Sequence, residues 1–231
     1  MTENTFIQSD EQPYKLPDNW YWATVGNISN LYRGVSYKKN DAHTTKQIDD
    51  FLILRGGNIK EGHIDLKSDN VYVNKNLVSE TQIIKENDII IVASTGSKTV
   101  IGRAGISDKN YSDVSFGAFL ILVRPLSNVN SSYLDYFFQG DIYRNRIKNL
   151  AAGININNIK SEHILNTPIP LPPLDEQQRI VDIIEKLFTK LNLTEEKLNP
   201  IIGYNDIKNT TIGKIEFMRK SILARAFRGK L

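Results

Sequence analysis

The chain has 231 residues, 40% apolar and 24% charged, with 14 Gly, 8 Pro and no Cys. This is ordinary globular composition, with room for one large domain or two small ones. The lack of cysteine excludes a disulfide scaffold, a thiolate zinc site and a cysteine nucleophile. Net charge is +3, and the excess lies from Leu174 onward, with 11 Lys+Arg against 8 Asp+Glu. The preceding three-quarters is neutral, so bulk electrostatics gives no argument for a nucleic-acid partner.

The N-terminal MTENTFIQSDEQPYK is polar and acidic, unlike a signal or transit peptide, and no apolar run approaches the roughly 20 residues of a membrane helix. A cytoplasmic location is expected. Tyr21 and Trp22 read as core. Then FLILRGG from Phe51, VYV from Val71, DIIIVASTG from Asp88 and FGAFLILVRP from Phe116 are β-branched or aromatic runs closed by turn residues, and they predict buried strands. In SSYLDYFFQGDIYRNRIKNLAAG the period changes. Leu134, Phe137, Phe138, Ile142, Ile147 and Leu150 recur at helical spacing and predict one helix running through Gly140 to a stop near Gly153. Four prolines at 168, 170, 172 and 173 then forbid helix and predict an extended strap. Residues 1–173 therefore read as a mixed, strand-rich α+β domain.

From Leu174 the periodicity is helical. Alternate steps of four and three give Ile180, Ile184, Leu187, Leu191, Thr194, Leu198, Ile201, Asn205, Lys208, Ile212, Ile215, Arg219, Ile222 and Ala226. Ten of these fourteen positions are apolar, as in a heptad seam. A continuous helix from Leu174 to Phe227 would be roughly 80 Å long. Asn199-Pro200, Gly203 and Gly213 weaken its middle, so a kinked helix or two stacked helices is expected. Such a length overhangs a domain only about 40 Å across. Residues 174–231 are thus expected to form a projecting coiled-coil region that needs a partner helix.

Enzyme motifs fail one by one. Gly96-Ser97-Lys98-Thr99 looks like the end of a phosphate loop, but the required upstream glycine is absent and serine, not glycine, precedes Lys98. No GxGxxG follows a strand, and no Asn-Pro-Pro-aromatic motif for base methylation is present. Asp88 with Lys98 is the nearest approach to a nuclease constellation. His43, His63 and His163 show no metal-ligand spacing, and no metal site is expected. Independent catalysis is not expected.

Three stretches resemble the specificity subunits of type I restriction–modification systems. They are YKLPDNWYWATVGNI (Tyr14 to Ile28), NTPIPLPPLDEQQRIVDIIEKLF (Asn166 to Phe188) and the terminal MRKSILARAFRGKL. LRGGNIKEGHI, DIIIVASTGS, FGAFLILVRP and GININNI also fit, so the resemblance covers nearly the whole chain. It implies a target recognition domain over residues 1–173, followed by a conserved helical region over 174–231 for dimerisation and methyltransferase docking. The usual family member carries two recognition domains and two helices in about twice this length, whereas no internal repeat is found here. The resemblance thus implies a half-subunit that pairs antiparallel with a second copy. The expected seam is Ile180, Ile184, Leu187, Leu191, Leu198, Ile201, Ile212, Ile215 and Ile222. It further implies double-stranded DNA as ligand, a modification (methyltransferase) subunit as direct partner and a restriction subunit as indirect partner. S-adenosylmethionine, ATP and Mg would be bound by those partners and no cofactor by this chain. The target of two inverted readers would be a bipartite palindrome.

Base reading needs donors and acceptors on loops that can enter a groove, and phosphate contacts need cations. Four loops qualify: Arg33, Ser36, Tyr37, Lys38 and Lys39 around Gly34; Arg55 and Asn58 around Gly56-Gly57; Ser94, Thr95, Ser97, Lys98, Thr99 and Arg103; and Asn155, Asn157, Asn158 and Lys160. Each has a plainer reading. Lys38 and Lys39 could be solvated surface, Gly56 to Asn58 only a turn, and Asn155 with its neighbours a helix cap. Arg179, Glu185, Lys186 and the basic tail from Arg219 to Lys230 are candidate methyltransferase contacts. A helical scaffold whose globular domain binds protein rather than DNA is the alternative.

Overall fold

A computed structural model describes residues 12–67, 70–97, 99–153, 158–198 and 205–231. The chain opens with β1 (Tyr21–Thr24), a single turn α1 (Val25–Ile28) and β2 (Ser29–Arg33). Short strands β3 (Ala42–His43), β4 (Asp50–Leu54), β5 (Ile59–Lys60), β6 (His63–Ile64) and β7 (Tyr72–Asn74) follow. Next come β8 (Ile89–Val92), β9 (Ala104–Ile106), β10 (Val114–Phe116) and β11 (Leu120–Pro125). Helices α2 (Ser131–Gln139), α3 (Asp141–Gly153) and α4 (Ser161–Leu165) lead to β12 (Pro168–Leu171), and α5 (Leu174–Leu198) and α6 (Asn205–Ala226) complete the chain.

Two four-stranded sheets, ordered β2-β11-β8-β9 and β10-β4-β7-β3, carry the domain. Alternation along β8 and β11 explains their unbroken apolar runs, because this central sheet is buried on both faces. Ile89, Ile91, Ile121 and Val123 join a core shared with the helices. Ile90, Val92, Leu120 and Leu122 join a second core, against Leu52, Leu54, Val114 and Phe116 of the other sheet. FGAFLILVRP is not one strand: it breaks at Gly117, and Gly117 to Phe119 form a turn between β10 and β11.

The proline strap is β12, paired antiparallel with β1 through Tyr21 to Leu171 and Thr24 to Pro168. Prolines donate no hydrogen bond, but their carbonyls accept. The buried Tyr133 hydroxyl donates to Pro170 O at 2.7 Å, and Gln177 Nε2 donates to Pro172 O at 2.9 Å. Gln177 is 2% exposed, and its Oε1 accepts the Asn130 amide at 2.9 Å. Asn130 in turn caps α2 by accepting the Tyr133 amide. The glutamine of LPPLDEQ is therefore the pin that holds the start of α5 to the start of α2. Of the two aromatic residues on β1, Trp22 is buried at 2%, whereas Tyr21 is 40% exposed.

Two expectations are corrected here. The helix expected to run through Gly140 is two helices, because Gly140 takes an extended conformation (φ −76°, ψ 160°) that ends α2. The Phe227 ring packs against that break. The long helical segment does not project: α6 returns along α5, with Arg219 hydrogen-bonded to Asn192 Oδ1, 3.5 Å from Glu195 and over the Phe188 ring. Its end plugs the core, where Phe227, 1% exposed, sits 5.2 Å from Tyr133 and 5.6 Å from Phe137, ring centre to ring centre.

The expected seam residues consequently divide. Ile180 and Ile184 are buried in the domain's own core, and Ile212 and Ile215 face a cleft toward α2. Leu187, Leu191 and Ile222 line an open groove between α5 and α6. The Leu198 side chain and Ile201 lie outside the described residues. A heptad pattern records which face is apolar, not whether the apolar neighbour belongs to the same chain.

The first described residues meet the C-terminal segment. Tyr14 Oη donates to Phe227 O at 2.5 Å, Arg228 lies over the Tyr14 ring, and Trp22 Nε1 donates to Tyr14 O at 3.2 Å. Gly229 has φ +63°, and a Cβ there would stand 2.3 Å from Pro17 Cγ. Glycine alone fits this left-handed close approach. The LPDNW, LPPLDEQQRI and FRGKL stretches thus form one structural frame.

Candidate functional site

On the side of the central sheet away from the helices, loops from both sheets enclose an open concavity of about 1060 Å³. Its frame is backbone. Val35 N donates to Phe116 O at 2.7 Å, Ala118 N to Val35 O at 2.9 Å, and Gly117 N to Leu54 O at 2.9 Å. Ala93 N and Ser94 N both donate to Phe119 O, at 2.9 and 3.0 Å. Gly34 makes this convergence possible, since a Cβ there would stand 2.2 Å from Gly117 O.

Seven of the expected readers line this concavity: Ser36, Tyr37, Lys39, Arg55, Ser94, Thr95 and Arg103. The structure adds His43, Thr44, Lys60 and Phe119. No aspartate or glutamate is among the described lining residues, which include the cations Lys39, Arg55, Lys60 and Arg103. Behind the lining residue His43 lies the Asp50 carboxylate, which is 3% exposed and 2.5 Å from His43 Nε2. The His43 hydrogen bond, with the Gln47 amide at 2.7 Å, holds the Asp50 carboxyl below the usual aspartate range. Arg103 Nη1 reaches Ile59 O at 3.4 Å and Lys60 Nζ donates to Gly57 O at 2.8 Å, so both cations rest against backbone at the rim.

Other expected readers fall elsewhere. Asn58 is a correction: it is fully buried, with Oδ1 accepting the Arg55 amide at 2.8 Å and Nδ2 donating to Asp65 O at 2.9 Å. It shapes the Arg55 turn and presents no edge to a groove. Arg33 is exposed beyond the wall, its carbonyl accepting from Gln82. The Lys38 amide donates to Asp41, and the Ser97 and Thr99 hydroxyls bond each other at 2.9 Å. Asn158 pairs with Ser94 through an isolated bridge, which places Asn158 beside the concavity. Lys160 precedes α4 and pairs with Glu162 at 3.4 Å. Lys98, Asn155 and Asn157 lie outside the described residues.

The sequence signal for Phe119 was Gly117, since a glycine inside a strand pattern marks a bend. Lys60 and His43 sit in two-residue strands too short to show a period.

Carboxylates that invite a catalytic reading have structural roles. Asp88 is fully buried and holds Arg124 by two hydrogen bonds of 2.7 Å, which removes it from any nuclease constellation. Arg124 also lies over the Tyr32 ring. Burial pushes the Asp135 carboxyl up to about 7, against one hydrogen bond from Gln139. It faces a cleft with Glu61, Glu185, Glu195 and Glu216, lined also by Ser132, Arg219 and Lys220. Among the described residues no group of three or more His, Asp or Glu is placed to hold a metal ion, and no described helix is long and apolar enough to cross a membrane.

The type I restriction modification DNA specificity domain matches residues 17–202. The chain is 36% identical over 217 residues to the type I restriction enzyme EcoKI specificity subunit of Escherichia coli K12, covering 94% of this chain and 44% of that protein. It is 37% identical, over the same shares, to the StySPI specificity subunit of Salmonella potsdam. The chain thus spans less than half the length of these relatives. Its fold is similar to the HsdS subunit from Thermoanaerobacter tengcongensis, with a TM-score of 0.60 at 18% identity over 96% of this chain and 48% of that one. Motifs, fold and relatives converge, and the chain belongs to the type I restriction modification DNA specificity domain family.

Proposed function

We propose that this chain reads DNA sequence within a type I restriction–modification assembly and performs no catalysis itself. The observation that carries this reading is the concavity with no carboxylate among its described lining residues, where Lys39, Arg55, Lys60 and Arg103 surround Ser36, Tyr37, Ser94 and Thr95 on a hydrogen-bonded backbone frame. Cations on such a wall neutralise phosphates, and hydroxyls and Arg55 address base edges. A methyltransferase subunit supplies S-adenosylmethionine chemistry on adenine, and a restriction subunit joins indirectly with ATP and Mg. The assembly is cytoplasmic.

Two copies pair antiparallel through the α5–α6 groove of about 490 Å³, where Phe217 is 72% and Met218 50% exposed beside Leu187, Leu191 and Ile222. A second copy would restore two recognition domains, in keeping with relatives of about twice this length. The paired readers then address a bipartite palindrome. Co-expression with the methyltransferase, followed by mapping of methylated adenines, tests the reading and returns target, symmetry and spacer together. Binding of the reconstituted complex to duplex DNA should weaken steeply with salt through counterion release. A complex that binds no duplex favours a protein-binding scaffold, and light scattering that shows only monomer at micromolar concentration removes the dimer.

A further inference from the structure

We infer that Phe119 is a base-contacting specificity residue, an apolar probe that packs on the hydrocarbon face of a base beside the hydrogen-bonding readers. The inference rests on the DNA reading above and deepens it. Phe119 is 69% exposed, although Leu120, its neighbour, is 1% exposed and belongs to the core. Isolated exposed apolar side chains are common on protein surfaces and need no function. Two features separate this one from that background.

The first is rigidity. The Phe119 carbonyl accepts two amides, from Ala93 and Ser94, while the amides of Gly117 and Ala118 bond Leu54 O and Val35 O. The turn is held from three sides, so its side chain has only two torsions left to order on contact, which keeps the entropic cost of binding low. The second is placement. The ring stands in the wall that holds Lys39, Arg55 and Arg103 and, among the described residues, no carboxylate. Most of the ring is left uncovered among the described residues, and the carbon surface of a bound duplex, its base faces and thymine methyls, would cover it. Apolar side chains read thymine methyls in the major groove, and act as wedges between base steps where the duplex is kinked. Both share one chemistry, the carbon surface of a base.

The test uses the chain complexed with its methyltransferase, on the duplex defined by methylation mapping. The F119A variant should keep the wild-type melting temperature, because the ring is exposed. It should lower the ratio of target to non-target affinity by about tenfold, within the range for a lost base–aromatic contact. Its salt slope should stay unchanged, because phosphate contacts remain. Thymine-to-uracil scanning that weakens wild type at one position, but not F119A, assigns a methyl contact. A 2-aminopurine signal that rises with wild type, but not with F119A, assigns an unstacking wedge. An affinity ratio within twofold of wild type overturns the proposal alone, as does a base scan in which no position distinguishes the two proteins. A wild-type complex that binds no duplex overturns both this proposal and the DNA reading.

Discussion

Phe227 and Phe119 are held in opposite ways. Phe227 is 1% exposed and fixed by its ring, wedged among Tyr133, Phe137 and the α2–α3 break at Gly140. Phe119 is 69% exposed and fixed by its backbone, while its ring touches water. In the helical half, side-chain shape decides position, so a change of residue changes the fold. In the concavity, main-chain hydrogen bonds decide position, so side chains are free to differ without moving the frame that presents them.

The largest expected effect lies on the first side of this comparison. Phe227→Ala opens a cavity in the aromatic core and should cost about 3–5 kcal/mol, read by urea or thermal unfolding of the isolated chain. Phe119→Ala should stay within about 0.5 kcal/mol in the same assay. Comparable losses for the two would erase the distinction. Next comes Gln177→Ala, which leaves the Asn130 amide and the Pro172 carbonyl without their partner and should cost about 1–3 kcal/mol.

Asp135 sharpens the picture through pH. Burial raises its carboxyl to about 7, above the unfolded value of 3.8. Its stabilising contribution is complete below the unfolded pKa and disappears as pH rises through the folded one. Asp135→Asn should therefore flatten the decline of melting temperature between about pH 4 and pH 8, with a gain at the alkaline end on the order of 1 kcal/mol. An unchanged pH profile would show that the carboxyl is not desolvated as the structure has it. The smallest effects on stability belong to the wall cations. Lys39→Ala and Arg103→Ala should leave unfolding within about 0.5 kcal/mol of wild type. Each should reduce the slope of log affinity against log salt by about one when the methyltransferase complex binds DNA.

Much of this fold was legible in the sequence because single physical rules governed it. The proline run forbade helix and became β12, and the unbroken IIIV run of β8 followed from burial on two faces. The helical half misled in two places for one reason: periodicity reports a face and not its neighbour. It ran on across Gly140, and it could not tell that Ile180 and Ile184 cover their own domain. In the concavity, Ser36, Tyr37, Lys39, Arg55, Ser94, Thr95 and Arg103 were visible as polar or basic residues beside glycines or turns. Asn58 carried the same signal and proved to be the internal support of its turn. Phe119 was missed, since an aromatic residue inside an apolar run reads as core unless Gly117 is taken as the bend it marks.

The pairing of β1 with β12 has a consequence for how such a protein can vary. The chain leaves the frame at Thr24 and returns at Pro168, directly opposite in register. Everything between them is an excursion whose two ends are pinned side by side, with both long helices outside the clasp. The closure entropy of a loop grows only logarithmically, at about 0.6 kcal/mol for each doubling of length. Insertions and replacements in the loops of the excursion that keep Asn130, Tyr133 and the α2–α3 aromatic core should then leave the clasp almost undisturbed, so that the loops around the concavity can change while their mounting stays the same.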